Sequence, residues 1–436
     1  MIDPVMATVV LFGGMILFLG LGVPIAFALG GFSAGMIYFF WSPQALNMVA
    51  IKAYNTVSSF EYLAIPLFIF MAAMLQRARI AEDLYNTMQV FFGGLRGGLA
   101  IGTIVICTIF AAMAGISGAA TISMGLIAIP AMLSRGYGKG VALGSIAAGG
   151  SLGILIPPSV TMIVYGIVAN TSIGKLYAGG LLPGLVLAAI FCVYLLARGW
   201  IQPEISGGAL ARRYSLWEKA VSIKGLILPL LLIVSVMGSI LTGIASVSEA
   251  GAVGAAGSLV AAALLGRLNW SSVEDACKET LMLSCMIFWI IVGATALSTF
   301  YTAMGASRLI EGLVLDLELN RWMVVIAMLS ILLVLGMLLD TVGIIMITAP
   351  IFVPIVTQLG FDPVWFGILF IILMEIGFLT PPFGYNLFYL RGVAPSHVTM
   401  TDIYYSVLPF IALMLFGVGL FMVFPQIILY LPEMIF

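Results

Sequence analysis

Charge is what this chain has least of. Of its 436 residues only 17 are Lys or Arg and 18 are Asp or Glu, so charged residues make up 8% while apolar ones reach 63%. Soluble domains carry about 25% charged and roughly 45–50% apolar residues, and a chain this poor in charge cannot cover a water-facing surface. The composition is that of an integral membrane protein. A net charge of −1 provides no basic field to hold nucleic acid. The single histidine, His397, cannot build a His-rich metal centre. Cys107, Cys192, Cys277 and Cys285 lie in or beside apolar runs without CxxC spacing, which argues against a zinc site or a disulfide framework. No G-x-x-x-x-G-K-[ST] loop occurs, which argues against ATP hydrolysis by the chain itself. An enzyme within the membrane would need a nucleophile with a base partner, or metal ligands at depth, and neither is offered. No positive segment follows Met1, so the first apolar run reads as a retained helix rather than a cleaved signal.

What remains is long apolar runs. A helical span needs about 20 such residues for a ~30 Å hydrocarbon core, and simple spans are expected near 5–22, 24–41, 61–76, 179–197, 226–242, 249–266, 280–298 and 405–424. Four runs fit this rule badly. Segments 97–134 and 322–357 are each about twice a span with a polar or Gly-rich middle, and are expected to be hairpins. Segments 140–170 and 363–390 are too long for one straight helix, and each is interrupted by a Pro-Pro pair. The return arm of the first hairpin, about 15 residues or ~22 Å, favours a re-entrant loop over two full spans. Either choice leaves ten crossings. With the N-terminus outside, most Lys and Arg residues, including Arg96, Arg212 and Arg213, fall on one side, and only Lys52, Lys175, Arg308 and Arg321 fall on the other. The positive-inside rule then faces both termini outward and keeps the polar loop 198–224 inside. Amphipathic stretches at 44–58, 78–93 and 302–319 are expected along the surface.

One offset recurs through the chain. Pro130 corresponds to Pro354, Gly136 to Gly360, Tyr137 to Phe361, Gly153 to Gly377, Pro157-Pro158 to Pro381-Pro382 and Tyr165 to Tyr389, each 224 residues apart. The expected fold is therefore all-α, with a first copy over 1–199, a linker over 200–223 and a second copy over 224–436. Five crossings separate equivalent points, and an odd number inverts the second copy. Inverted repeats with interrupted helices are the architecture of secondary transporters, whose sites lie near the midplane between the copies.

Backbone inside a bilayer stays unpaired only where it lines a cavity or binds something. The hairpin tips and the Pro-Pro breaks are such places, because proline frees carbonyls of the preceding turn and helix N-termini favour anions. Cation ligation is expected from Gly115, Ser117 and Gly118 with Ile156, Pro157, Pro158 and Ser159, and from Asp340, Thr341 and Gly343 with Thr380, Pro381 and Pro382. Substrate contact is expected from Ser117, Ala119, Thr121, Ser159, Thr341, Pro382 and Asn386. An acid at membrane depth marks an ion or proton site, while Asp is also a good N-cap; for Asp340 the two roles are compatible. Glu375 could carry a proton, support a cation ligand or face a water-filled vestibule.

Segments 64–68 (AIPLF), 115–119 (GISGA), 153–159 (GILIPPS), 362–367 (DPVWFG) and 379–384 (LTPPFG) closely resemble the large membrane subunit of the tripartite ATP-independent periplasmic (TRAP) transporters. This resemblance, which covers nearly the whole chain, implies Na⁺-coupled symport of organic acids, C4-dicarboxylates and sialic acid among them, across the bacterial inner membrane. It also implies a periplasmic solute-binding protein and a small four-helix membrane subunit as partners, periplasmic termini and an elevator mechanism. Sodium is implied at the hairpin tips and proline loops. Many relatives carry more hydroxyls after the first tip; here Ala119 and Ala120 leave Ser117, Thr121 or Ser123 as side-chain ligands. The rival within transport is a self-sufficient carboxylate symporter that needs no binding protein.

Overall fold

A computed structural model describes residues 3–95, 97–204, 214–305 and 320–436. Helix is the only extended element among them, as lipid demands: an α-helix pairs its backbone polar groups within one segment. The first half runs α1 (Pro4–Gly20), α2 (Ile25–Phe40), α3 (Ala45–Val57), α4 (Ala64–Arg77), α5 (Ile80–Phe92), α6 (Gly98–Ala114), α7 (Ser117–Leu133), α8 (Lys139–Ser151), α9 (Val160–Val168) and α10 (Ile173–Ile201). The second runs α11 (Leu216–Ser222), α12 (Lys224–Leu241), α13 (Val247–Leu264), α14 (Trp270–Ala303), α15 (Arg321–Gly336), α16 (Thr341–Gln358), α17 (Pro363–Leu379), α18 (Tyr385–Val393), α19 (Met400–Val423) and α20 (Gln426–Ile435). Among the described residues, 7 helices are long and apolar enough to cross a membrane, and shorter apolar helices accompany them.

Every segment expected to span is helical, but α14 extends well past its expected ends. α14 has 34 residues, about 51 Å at 1.5 Å per residue. Its N-terminal charges are matched along its own faces: Lys278 pairs with Glu274 and Arg77 with Glu279, both at 2.7 Å. Counting hydropathy stops at such charges, whereas the helix carries them past the hydrocarbon. α20 lies beyond the expected last span and packs on α10, where Gly174 faces the Phe436 ring and Gly179 the Ile428 carbonyl. α5, expected along the surface, buries Ile80, Leu84, Tyr85 and Met88 against its neighbours. The expected surface stretch 302–319 lies outside the described residues from 306 onward, as do Arg96, Arg308 and, with Arg212 and Arg213, residues 205–213 of the linker.

The two expected hairpins are helix pairs: α6 with α7, joined by Gly115 and Ile116 alone, and α15 with α16, joined by 337–340. Ser117 and Gly118, expected in the first turn, instead open α7. The two expected broken spans are interrupted between α8 and α9 and between α17 and α18, and both Pro-Pro bonds are cis. α8 and α17, which lead into the breaks, form the centre of the molecule, with Val141–Ser151 and Val364–Leu379 buried on all faces. A helix apolar all round is suited to that position. Three longer-range ion pairs, Arg77–Glu279, Asp83–Arg267 and Lys139–Asp402, join residues that charge counting assigns to the same side.

Candidate functional site

The first hairpin tip is seated in the first break. Gly115 adopts φ 64°, and its carbonyl accepts from the Val160 N–H at 3.4 Å. A Cβ on Gly115 would lie 2.6 Å from the Pro158 carbonyl, and one on Gly153 would lie 3.0 Å from the Ile116 carbonyl. Only glycine fits at both places. At the second tip Asp340 caps α16, its carboxylate accepting from the Val342 N–H at 3.0 Å. The arm before that tip crosses the helix before the break through Gly336 and Gly377, whose backbones touch.

Both tips open on one cavity of about 340 Å³. It is lined by Gly115–Gly118 and Asp340–Val342, and by residues flanking the breaks, among them Val160, Thr161, Phe378 and Tyr385. Five pairs of its lining residues stand 224 apart: Ile116 and Asp340, Ser117 and Thr341, Gly118 and Val342, Ile154 and Phe378, Thr161 and Tyr385. Four helices begin at this cavity, namely α7, α9, α16 and α18. α9 is capped by Ser159 and α16 by Asp340, while α7 and α18 have no side-chain cap among the described residues, so their first N–H groups are not taken by a capping side chain. Among the described residues the Thr341 hydroxyl is buried without a partner, and Asp340 is the single charged one in the lining.

Of the expected cation residues, the structure brings Gly115, Ser117, Gly118, Asp340 and Thr341 to this cavity; Ile156, Pro157, Pro158, Ser159, Gly343, Thr380, Pro381 and Pro382 stand behind it. Ser159 donates to the Ile154 carbonyl at 2.6 Å and accepts from the Met162 N–H, while its own carbonyl accepts from the Tyr177 hydroxyl. The Thr380 hydroxyl donates to the Ile376 carbonyl at 2.6 Å, and the Pro382 carbonyl accepts from the Tyr404 hydroxyl. Gly343 packs on Ile25. Of the expected substrate residues, Ser117 and Thr341 line the cavity and Ala119 does not. Thr121 donates to Asn386 at 2.7 Å, and Asn386 donates in turn to the Ala147 carbonyl, so this buried pair ties α7, α18 and α8 together. Glu375 is fully buried, with both carboxylate oxygens lacking a hydrogen-bond partner, and it does not reach the cavity. That burial removes the vestibule-facing reading of Glu375.

Sequence reasoning did not assign Thr161, Phe378, Tyr385 or Tyr389 to the site, although the 224-residue offset carried outward from the breaks reaches all four as paired positions. It also missed the facing wall of Leu283, Met286, Ile287 and Ile290 on α14, which no local signal marks. A larger vestibule of about 760 Å³ lies between α3, α14 and α16, with Lys52, Asn170, Thr295, Ser298 and Gln358 among otherwise mostly apolar walls.

The YdaH transporter of Alcanivorax borkumensis aligns with a TM-score of 0.61 over 89% of this chain and 91% of its own, at 14% identity, so the two share a fold. The sequence matches the tripartite ATP-independent periplasmic transporter, DctM component, over residues 12–427. It is 34% identical over 408 residues to the C4-dicarboxylate TRAP transporter large permease protein DctM of Pseudomonas aeruginosa, covering 92% of this chain and 93% of that one. It is also 35% identical over 411 residues to the isethionate TRAP transporter permease protein DctMQ of Oleidesulfovibrio alaskensis, covering 93% of this chain and 63% of that longer one. The chain belongs to the TRAP transporter large permease family; it is a membrane transport protein, not an enzyme.

Proposed function

We propose that this chain is the large permease subunit of a Na⁺-coupled importer of organic acids in the bacterial inner membrane, working with a small membrane subunit and a periplasmic binding protein. The observation that carries this reading is the shared cavity at the two tips, whose one charge is the Asp340 carboxylate and which has no basic side chain. A second carboxylate about 5 Å from Asp340 would be repelled by roughly 3 kcal/mol at an effective dielectric of about 20. A cation at the tip reverses that sign, and the Asp340 carboxylate with the orphaned Thr341 hydroxyl are oxygen donors suited to it. The substrate carboxylate then meets the uncapped N-termini of α7 and α18. Cation and anion enter together because each neutralises the other's cost, which is what couples their transport.

The two halves form inverted repeats with re-entrant hairpins, and both termini lie on the periplasmic side. The hairpins and broken helices move as one body past α2, α4 and α14, and the vestibule beside Lys52 is the outward approach. The test is Na⁺ binding by the purified chain with its small subunit. Asp340→Asn is expected to weaken Na⁺ affinity by more than about tenfold, ~1.4 kcal/mol, with the protein still folded. Unchanged affinity would remove Asp340 from coupling. Uptake by this chain alone in proteoliposomes would instead assign it to the self-sufficient carriers.

A further inference from the structure

We infer that the cavity at the tips selects a monocarboxylate with an aromatic or branched apolar body over a linear dicarboxylate; the inference rests on the transport site proposed above. The cavity lies between residues paired by the 224-residue offset, so two equal halves would suit a ligand with two equal ends. The halves are unequal. Where the first contributes Ile116, Ile154 and Thr161, the second contributes Asp340, Phe378 and Tyr385. The ligand that fits such a site has unlike ends.

One end is fixed by the helix N-termini, which hold a carboxylate. The other end meets apolar surface. Leu283, Met286, Ile287 and Ile290 of α14 also line the cavity, and none of them offers a hydrogen-bond donor. A second carboxylate pressed there would lose its water and gain no partner, whereas an apolar body would be favoured by leaving water. Rings supply the side walls. Tyr385 and Tyr389 keep 37% and 42% of their surface exposed although they line this cavity, and the Tyr385 ring lies 5.7 Å from that of Phe378, tilted by 59°. Such a cluster presents edges and faces to an aromatic guest. A volume of about 340 Å³ stands near the lower end of the ~300–1,000 Å³ typical of ligand pockets, which fits a compact acid.

The experiment measures equilibrium binding of phenylacetate and of succinate to the purified full chain with its small subunit, in NaCl and in KCl. In NaCl, phenylacetate is expected to bind about tenfold tighter than succinate or better, the scale at which a shaped apolar pocket discriminates. Tyr385→Ala should weaken phenylacetate by about tenfold and bring the two acids level. Met286→Lys, which leaves the rings in place and serves if the tyrosine variant does not fold, should shift the preference toward succinate. Succinate binding as tightly as phenylacetate in NaCl, or a preference unmoved by Met286→Lys, overturns the inference and leaves Na⁺ coupling standing. A preference for phenylacetate that is the same in KCl supports the inference and overturns the coupling. Binding of neither acid overturns both.

Discussion

Asp340 and Glu375 are both acids within the span of the protein, and their surroundings separate them. Asp340 sits at a helix start, accepts a backbone N–H and opens on a cavity. Glu375 sits inside α17 with both oxygens unpaired and no exposure. A buried polar group left without a partner costs about 1–3 kcal/mol, and among the described residues no group pairs with the carboxyl of Glu375. Glu375→Met, which keeps the length and removes the polar atoms, is expected to raise stability by about that amount. Thermal unfolding in detergent checks it: a lower melting temperature in the variant would mean that the carboxyl has a partner, a water or an ion, in the native protein. From sequence Asp340 is marked by its hairpin tip, whereas the surroundings of Glu375 are not legible, because hydropathy reports depth and not neighbours.

At the scale of elements, the site depends on close helix crossings. The backbones of α15 and α17 touch at Gly336 and Gly377, where a Cβ on Gly377 would lie 2.5 Å from the Gly336 carbonyl carbon. A Cβ on Gly336 would lie 3.2 Å from the Gly377 Cα. Gly377→Ala is therefore expected to destabilise by about 1–3 kcal/mol, as overpacking does, and Gly336→Ala by less. Melting temperatures of the two variants compare them, and an equal or reversed order would contradict this crossing. The hairpins and breaks were legible in the sequence because Gly and Pro act on their own backbone: Pro removes a donor and fixes φ, and Gly115 alone tolerates φ 64° at the tip. The full length of α14 was not legible, since whether Glu279 ends a helix or pairs with Arg77 depends on a residue 202 positions away.

For the whole molecule, the proposed inverted arrangement makes a prediction about sides. Ser134 follows α7 and Gln358 ends α16; they stand 224 apart and both are exposed. In a chain freed of its native cysteines, Ser134→Cys and Gln358→Cys should react with a membrane-impermeant maleimide from opposite faces, Gln358→Cys from outside and Ser134→Cys only after permeabilisation. Labelling of both from one side would dissolve the inverted repeat, and with it the meeting of two tips at the midplane. The three longer-range ion pairs lie on the side assigned inward and serve to hold elements in register there; at about 0–1 kcal/mol each for partly exposed pairs, they set geometry more than stability.

The amino-acid sequence by itself determined that the chain lives in lipid and where its helices break and turn. Those properties are local: they follow from hydropathy, from the missing N–H of proline and from the missing Cβ of glycine. Only the tertiary structure decided which of the candidate residues face a common space. Thr121 and Asn386 consume each other, Ser159 closes on its own loop, and tyrosines from beyond the second break come forward with an apolar wall of α14. A hydroxyl or carbonyl is a ligand only if nothing nearer claims it, and what lies nearest is set by packing between segments hundreds of residues apart.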